Sequence, residues 1–130
     1  MNRLSLEPLH VGALIAEVLD TDNSVSIVLR GDSDARDAAA ALDDFLVRRV
    51  HPAILKAALK LVQLDVTGLE FLNSAGIKAL VNWLLAIKGQ QQPSRYFVVV
   101  QYDEGITWQA KGLKPLTFVA QSFLRLEPLR

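Results

Sequence analysis

Apolar positions along the chain change period several times, and each change marks an element. Lys60 to Val66 is an aliphatic, β-branched run short enough for a strand, and Thr67-Gly68 supplies residue types that end one. From Ile77 the spacing switches: Ile77, Leu80, Val81, Leu84 and Leu85 recur as one face of a helix, which Lys88-Gly89 stops. Asn73 and Ser74 stand where that helix begins, and either side chain could cap its first free amides. Gln90 to Ser94 then reads as a polar loop. Tyr96 to Val100 is a second continuous apolar run, of the kind covered on both faces. A right-handed crossover would lay the helix over one face of a parallel pair.

Upstream, Ala13 to Leu19 reads as a strand, Asp20 to Asn23 as a turn, and Val25 to Leu29 as its alternating partner, an amino-terminal hairpin; a short helix over Val11 to Leu19 is the rival reading. Gly31-Asp32-Ser33-Asp34 closes the hairpin and opens a helix, with Asp34 a good N-cap and Asp37 in its first turn. Leu42, Phe45 and Leu46 keep helical spacing, and Pro52 marks a break, with a further helical turn over Ala53 to Leu59. After a turn at Gln101 to Gly105, Ile106 to Lys111 is helix-compatible, Pro115 opens another turn through Ala120, and Phe123 to Glu127 alternates as a last strand. The resulting order is β, β, α, β, α, β, α, β. Leu4 to Leu9 and Leu124 to Leu129 differ in a single residue, too short an echo for a structural repeat, and each carries a Pro suited to an edge strand.

Composition narrows the function classes. The 130 residues suit a single domain over 1–130, and 51% hydrophobic residues can fill its core. Lys and Arg total 14, as do Asp and Glu, so no basic excess favours nucleic acid or an anionic membrane. With no cysteine, disulfides and thiolate chemistry are excluded. No run approaches a membrane span, and the amino terminus lacks the pattern of a signal peptide, so a cytoplasmic protein is expected. Ser74 lies in no G-x-S-x-G elbow, His10 and His51 read as surface histidines, and neither a P-loop nor metal-ligand spacing occurs. An enzyme is therefore not expected, and no cofactor.

The run Asp65-Val66-Thr67-Gly68-Leu69-x-Phe71-Leu72-Asn73-Ser74-Ala75-Gly76-Ile77 resembles the signature of STAS domains, the anti-sigma-factor antagonists, in which a strand ending D-[LV]-[ST]-G precedes a helix starting D-S-[SA]-G-[LI]. The resemblance implies an α/β fold, a mixed sheet of about four to five strands with helices mainly on one face. It implies that Ser74 is phosphorylated by a partner serine kinase that is also the anti-sigma factor, that a phosphatase reverses this, and that Thr67 is a secondary site. Gly31 to Asp34 matches the family's G-E-L-D-like turn beside the serine. Asp34 is then either a plain cap or part of the functional rim. The partner rim comprises Asp32, Asp34, Asn73, Ser74, Lys78 and Asn82. Asn73 departs from the family's Asp: it keeps the hydrogen-bonding shape and drops the charge, leaving a constitutive binder or an adapted kinase. A serine that only helps cap the helix is the bland reading of Ser74. Trp83 and Trp108 cover a core edge or, if exposed beside Ser74, anchor a partner. A small-anion or nucleotide site at the helix amides, or a scaffold that assembles with copies of itself, is the alternative function; a homodimer fits either.

Overall fold

The computed structural model describes residues 4, 6–21, 24–33 and 37–129. Its centre is a six-stranded sheet in the order β1-β2-β3-β4-β5-β6, formed by Leu9–Val11, Leu14–Asp20, Val25–Asp32, Leu61–Phe71, Phe97–Tyr102 and Leu124–Pro128. The first three strands are antiparallel and the remaining pairs parallel. Strand count thus exceeds the four to five expected, because Leu9–Val11 pairs with the start of β2 at the edge. The helical reading of Val11 to Leu19 is excluded, since β2 pairs along its whole length with β3 from Leu14↔Gly31 to Asp20↔Val25.

Alternation decides which face is covered. Leu14, Ala16 and Val18, Val25, Ile27 and Leu29, Val62, Leu64 and Val66, and Val98 and Val100 are all buried on one side. Register aligns them into rows such as Val18, Ile27, Leu64, Val100. Helices α1 (Ala38–Asp43), α2 (His51–Ala57), α3 (Ser74–Lys88) and α5 (Lys114–Val119) supply Leu42, Ile54, Leu80, Trp83, Leu84 and Leu116 to the same core, and α4 (Thr107–Gly112) packs half-buried Trp108 against it. The opposite face carries Glu17, Val28, Asp65, Gln101 and Glu127 in one row, none of them buried. β5 is accordingly covered on one face only, with Phe97, Val99 and Gln101 half-exposed, not on both as its apolar run suggested.

Three elements depart from the pattern. Pro52 does not break the first helix: a π-helical stretch, Asp44–Val50, joins α1 to α2, and Pro52 sits in the first turn of α2. In unbroken α register the proline ring would meet the carbonyl of Arg48, four residues back, and the wider π turns take up that stretch. Thr67-Gly68 does not end β4 either. Pairing with β5 stops at Asp65↔Gln101, but pairing with β3 runs on through Arg30↔Gly68 to Asp32↔Phe71, past two irregularities in register. Gly31 and Asp32 are likewise part of β3 rather than a turn.

β4 therefore extends beyond its β5 partner, and its carbonyls on that side need other donors. Gln109, fully buried on α4, donates from Nε2 to Val66 O at 2.6 Å and Leu69 O at 2.9 Å, and its Oε1 accepts from Asp103 N at 2.7 Å. Trp108 Nε1 adds a bond to Leu69 O at 3.0 Å. Replacing Gln109 with Leu keeps the volume and orphans the Val66 carbonyl and the Asp103 amide. The expected cost is about 2–4 kcal/mol, read as a lower midpoint in urea unfolding with an unchanged slope.

The core also holds a polar chain. Trp83 Nε1 donates to Tyr96 Oη at 2.9 Å, and Tyr96 Oη lies 2.8 Å from His51 Nδ1. With Trp83 as donor to the phenol, the Tyr96 O–H is left to donate to an unprotonated Nδ1. His51 is thus buried, not the surface histidine the sequence suggested, because the helix runs through Pro52 and carries it inward. Burial lowers its pKa below the usual 6.5, and burial raises that of Tyr96. The unfolded chain then binds the proton more readily, so this contribution to stability is complete above about pH 6.5 and lost as pH falls below it. The melting temperature is expected to drop on acidification through that window, and His51→Gln is expected to remove that part of the drop.

Candidate functional site

The motif residues meet at the carboxyl ends of β3 and β4, where α3 begins. Asn73 is the N-cap: its backbone is extended (φ −76°, ψ 176°), its Oδ1 accepts from Gly76 N at 2.9 Å, and its carbonyl accepts from Ile77 N at 3.0 Å. An amide side chain does this as well as a carboxylate, so the cap survives the loss of charge. Ser74 is the first helical residue. It is exposed, and its hydroxyl has no hydrogen-bond partner among the described residues. The capping role that was the bland reading of Ser74 belongs wholly to Asn73. Backbone amides of Ser74 and Ala75 remain without intrahelical acceptors, at the positive end of a helix of 15 residues.

β3 delivers the neighbouring loop. Ser33 N donates to Phe71 O at 3.1 Å, and Asp32 pairs in register with Phe71, which places Asp32 beside the segment leading to Ser74. Asp34 lies outside the described residues. Ser33 is fully buried and its Oγ has no partner among the described residues, 3.3 Å from where a Cβ on Gly76 would sit. That same Cβ would stand 2.3 Å from Leu72 Cδ1, so Gly76 is what lets the β3 loop and Leu72 close over the first turn of α3. A buried hydroxyl with no partner is a net cost. Ser33→Ala is expected to raise stability by about 1 kcal/mol, seen as a melting temperature higher by about 4 °C.

The other rim residues separate by role. Lys78 is exposed, one turn beyond Ser74, and unpaired among the described residues. Asn82 is half-buried and donates from Nδ2 to Asp43 Oδ1 at 2.9 Å, tying α3 to α1. Between the two helices lies an open depression of about 250 Å³ lined by Ala39, Ala40, Asp43, Ala75, Lys78, Ala79 and Asn82. Thr67 is not part of this surface: it lies on the open face of the sheet, and both its amide and its hydroxyl bond Asp65 Oδ1, at 2.9 and 2.7 Å.

Trp83 is fully buried and Trp108 half-buried, so neither is an exposed aromatic beside Ser74; the exposed aromatic there is Phe71, 43% exposed and three residues before Ser74. Sequence reasoning passed over Phe71 and Asp43. Phe71 had a signal, its place in the motif, whereas Asp43 is marked only by lying on the helix side away from Leu42 and Leu46. Among the described residues no group of three His, Asp or Glu could hold a metal ion, and no helix is long and apolar enough to cross a membrane.

No model of a known protein family matches the chain, and neither does any curated protein. Comparison of the fold is informative: the chain superposes on the crystal structure of an anti-sigma factor antagonist from Mycobacterium paratuberculosis with a TM-score of 0.60 over 93% of this chain and 92% of that one. The fold is STAS-like. At 19% identity the agreement lies in architecture rather than in sequence. In this STAS-like fold the mixed sheet presents the Asn73-Ser74 helix start at the ends of its central strands, β3 and β4.

Proposed function

We propose that the chain is a regulatory, protein-binding module that works as an anti-sigma-factor antagonist: it binds a serine-kinase anti-sigma factor when Ser74 is unmodified and releases it when that kinase phosphorylates Ser74. The observation that carries the reading is the division of labour at the helix start. Asn73 caps the helix, which frees an exposed serine hydroxyl at the first helical position. Phosphorylation there would add about 1.5 to 2 negative charges beside open amides and within one turn of Lys78, which the fold tolerates. The change is then felt by the partner, not by the fold. Asp32, Asn73, Lys78, Asn82 and the exposed Phe71 form the contact rim, with the depression against α1 as its floor. Asn73 in place of Asp removes a carboxylate next to the acceptor hydroxyl, so the kinase must find its base elsewhere.

Cross-linking of the tagged chain in its own host, with wild type, Ser74→Ala and Ser74→Asp compared, tests this. One kinase is expected to cross-link to wild type and Ser74→Ala and to be lost with Ser74→Asp. The same proteins recovered with all three forms would argue against the proposal.

A further inference from the structure

Charge is segregated along a chain whose total is balanced. Residues 1–70 hold seven Lys and Arg against eleven Asp and Glu, and residues 71–130 hold seven against three. The helices sharpen this: α3, α4 and α5 carry Lys78, Lys88, Lys111 and Lys114 and no carboxylate at all. All four lysines are exposed, and none forms an ion pair among the described residues. Elsewhere charges are matched in place, as in Arg30 with Glu17 at 2.6 Å and Arg125 with Glu127 at 2.7 Å. Arg95 adds to the cationic end of α3, donating to Lys88 O at 2.8 Å. The acids nearest in sequence to α4 and α5, Asp103 and Glu104, stand in the turn before α4, and Asp43 meets α3 on the side that faces α1, through Asn82.

The same helices leave apolar surface in water. Phe118 is 74% exposed on α5 and Leu85 is 49% exposed on α3, and the two helices pack side by side. On α5, Leu116 and Ala120 point to the core, which turns Lys114 and Phe118, one helical turn apart, outward together. On α3, buried Leu80, Trp83, Leu84 and Ile87 define the inner side, which turns Leu85 outward and leaves Lys88 at its margin. A cationic surface with an apolar centre and no acid of its own is complementary to one chemistry, apolar side chains framed by carboxylates. Against polyanions such as nucleic acid or anionic lipid headgroups stands the charge of the chain as a whole, 14 Lys and Arg balanced by 14 Asp and Glu.

We infer that the outer surface of α3, α4 and α5, centred on Phe118 and Leu85 and framed by Lys88, Lys111 and Lys114, docks a protein partner through an acidic amphipathic segment. None of these residues belongs to the rim around Ser74, so this surface and the Ser74 reading stand or fall separately.

The test uses the full chain and labelled amphipathic peptides of about 18 residues, long enough for several helical turns. One carries Leu on one face and Glu on the other, a second has Lys for Glu, and a third Ser for Leu. Fluorescence anisotropy is expected to show binding of the Leu/Glu peptide alone, weakened by salt. Phe118→Ser, Leu85→Ser and the pair Lys111→Glu with Lys114→Glu should each weaken it about tenfold or more, with circular dichroism unchanged. Equal binding of all three peptides, or binding indifferent to these variants, would overturn the inference. So would two other results. One is wild type that self-associates and becomes monomeric in Phe118→Ser, which would assign the face to a second copy. The other is stronger binding to vesicles of phosphatidylglycerol and phosphatidylcholine than to the peptide, which would assign it to a membrane.

Discussion

Gly31→Ala is expected to lose about 3 kcal/mol or more of stability, the largest single effect on the fold. Gly31 has φ +90°, where an L side chain is strained, and a Cβ there would stand 1.9 Å from the carbonyl oxygen of Ala13. That neighbour is backbone of the turn that leads directly into β2, so relief requires the end of the β2–β3 ladder to open. The register Leu14↔Gly31 and the bond from Asp32 N to Ala13 O would both be lost. Since Asp32 and Ser33 follow directly, the rim beside Ser74 would shift as well. Gly68→Ala is the matched control on the facing strand, in register with Arg30. Its Cβ would meet only the Arg30 side chain, at 3.1 Å, which can move. Thermal melts of the two variants should differ by roughly 10 °C, with Gly31→Ala the lower.

Ser74→Asp is expected to weaken partner binding about a hundredfold while leaving the fold as stable as wild type or slightly more so. A carboxylate at the first position of α3 faces unpaired amides and the positive end of the helix, a placement that stabilises by about 0.3–1 kcal/mol. In a complex the same carboxylate must shed water, and a cost of several kcal/mol follows where no cation of the partner compensates. Stability and affinity therefore move in opposite directions. Calorimetry of binding beside a thermal melt of the same samples measures both. Parallel losses in the two would mean that the variant acts by disturbing the fold.

Much of the architecture could be read from period changes. The hairpin of β2 and β3, the two parallel strands around α3, the start of α3 at Asn73-Ser74 and the last strand all follow from apolar spacing and capping chemistry, because those signals are local. What escaped depends on contacts far apart in the chain. α3 is apolar over more than half its circumference, so the spacing fits two faces. The sheet chose the one centred on Leu80, Trp83 and Leu84 and left Leu85 outside. Thr67-Gly68 carries turn chemistry, yet β3 and the side chain of Gln109 supply enough partners to keep β4 extended to Phe71. Pro52 was tolerated through a π stretch that no local preference signals, and that in turn buried His51 against Tyr96. At the site, the pair Asn73-Ser74 was legible as a motif; which of the two caps the helix was not, since both residue types can. Asp43 became visible only when α1 docked beside α3 and accepted a bond from Asn82.

The most direct test of Ser74 as the regulated group is the intact mass of the protein purified from its own host, beside Ser74→Ala from the same host. The account predicts a phosphate-sized gain in wild type that is absent in the variant. An unmodified mass under several growth conditions, or a gain that persists in Ser74→Ala, would contradict it.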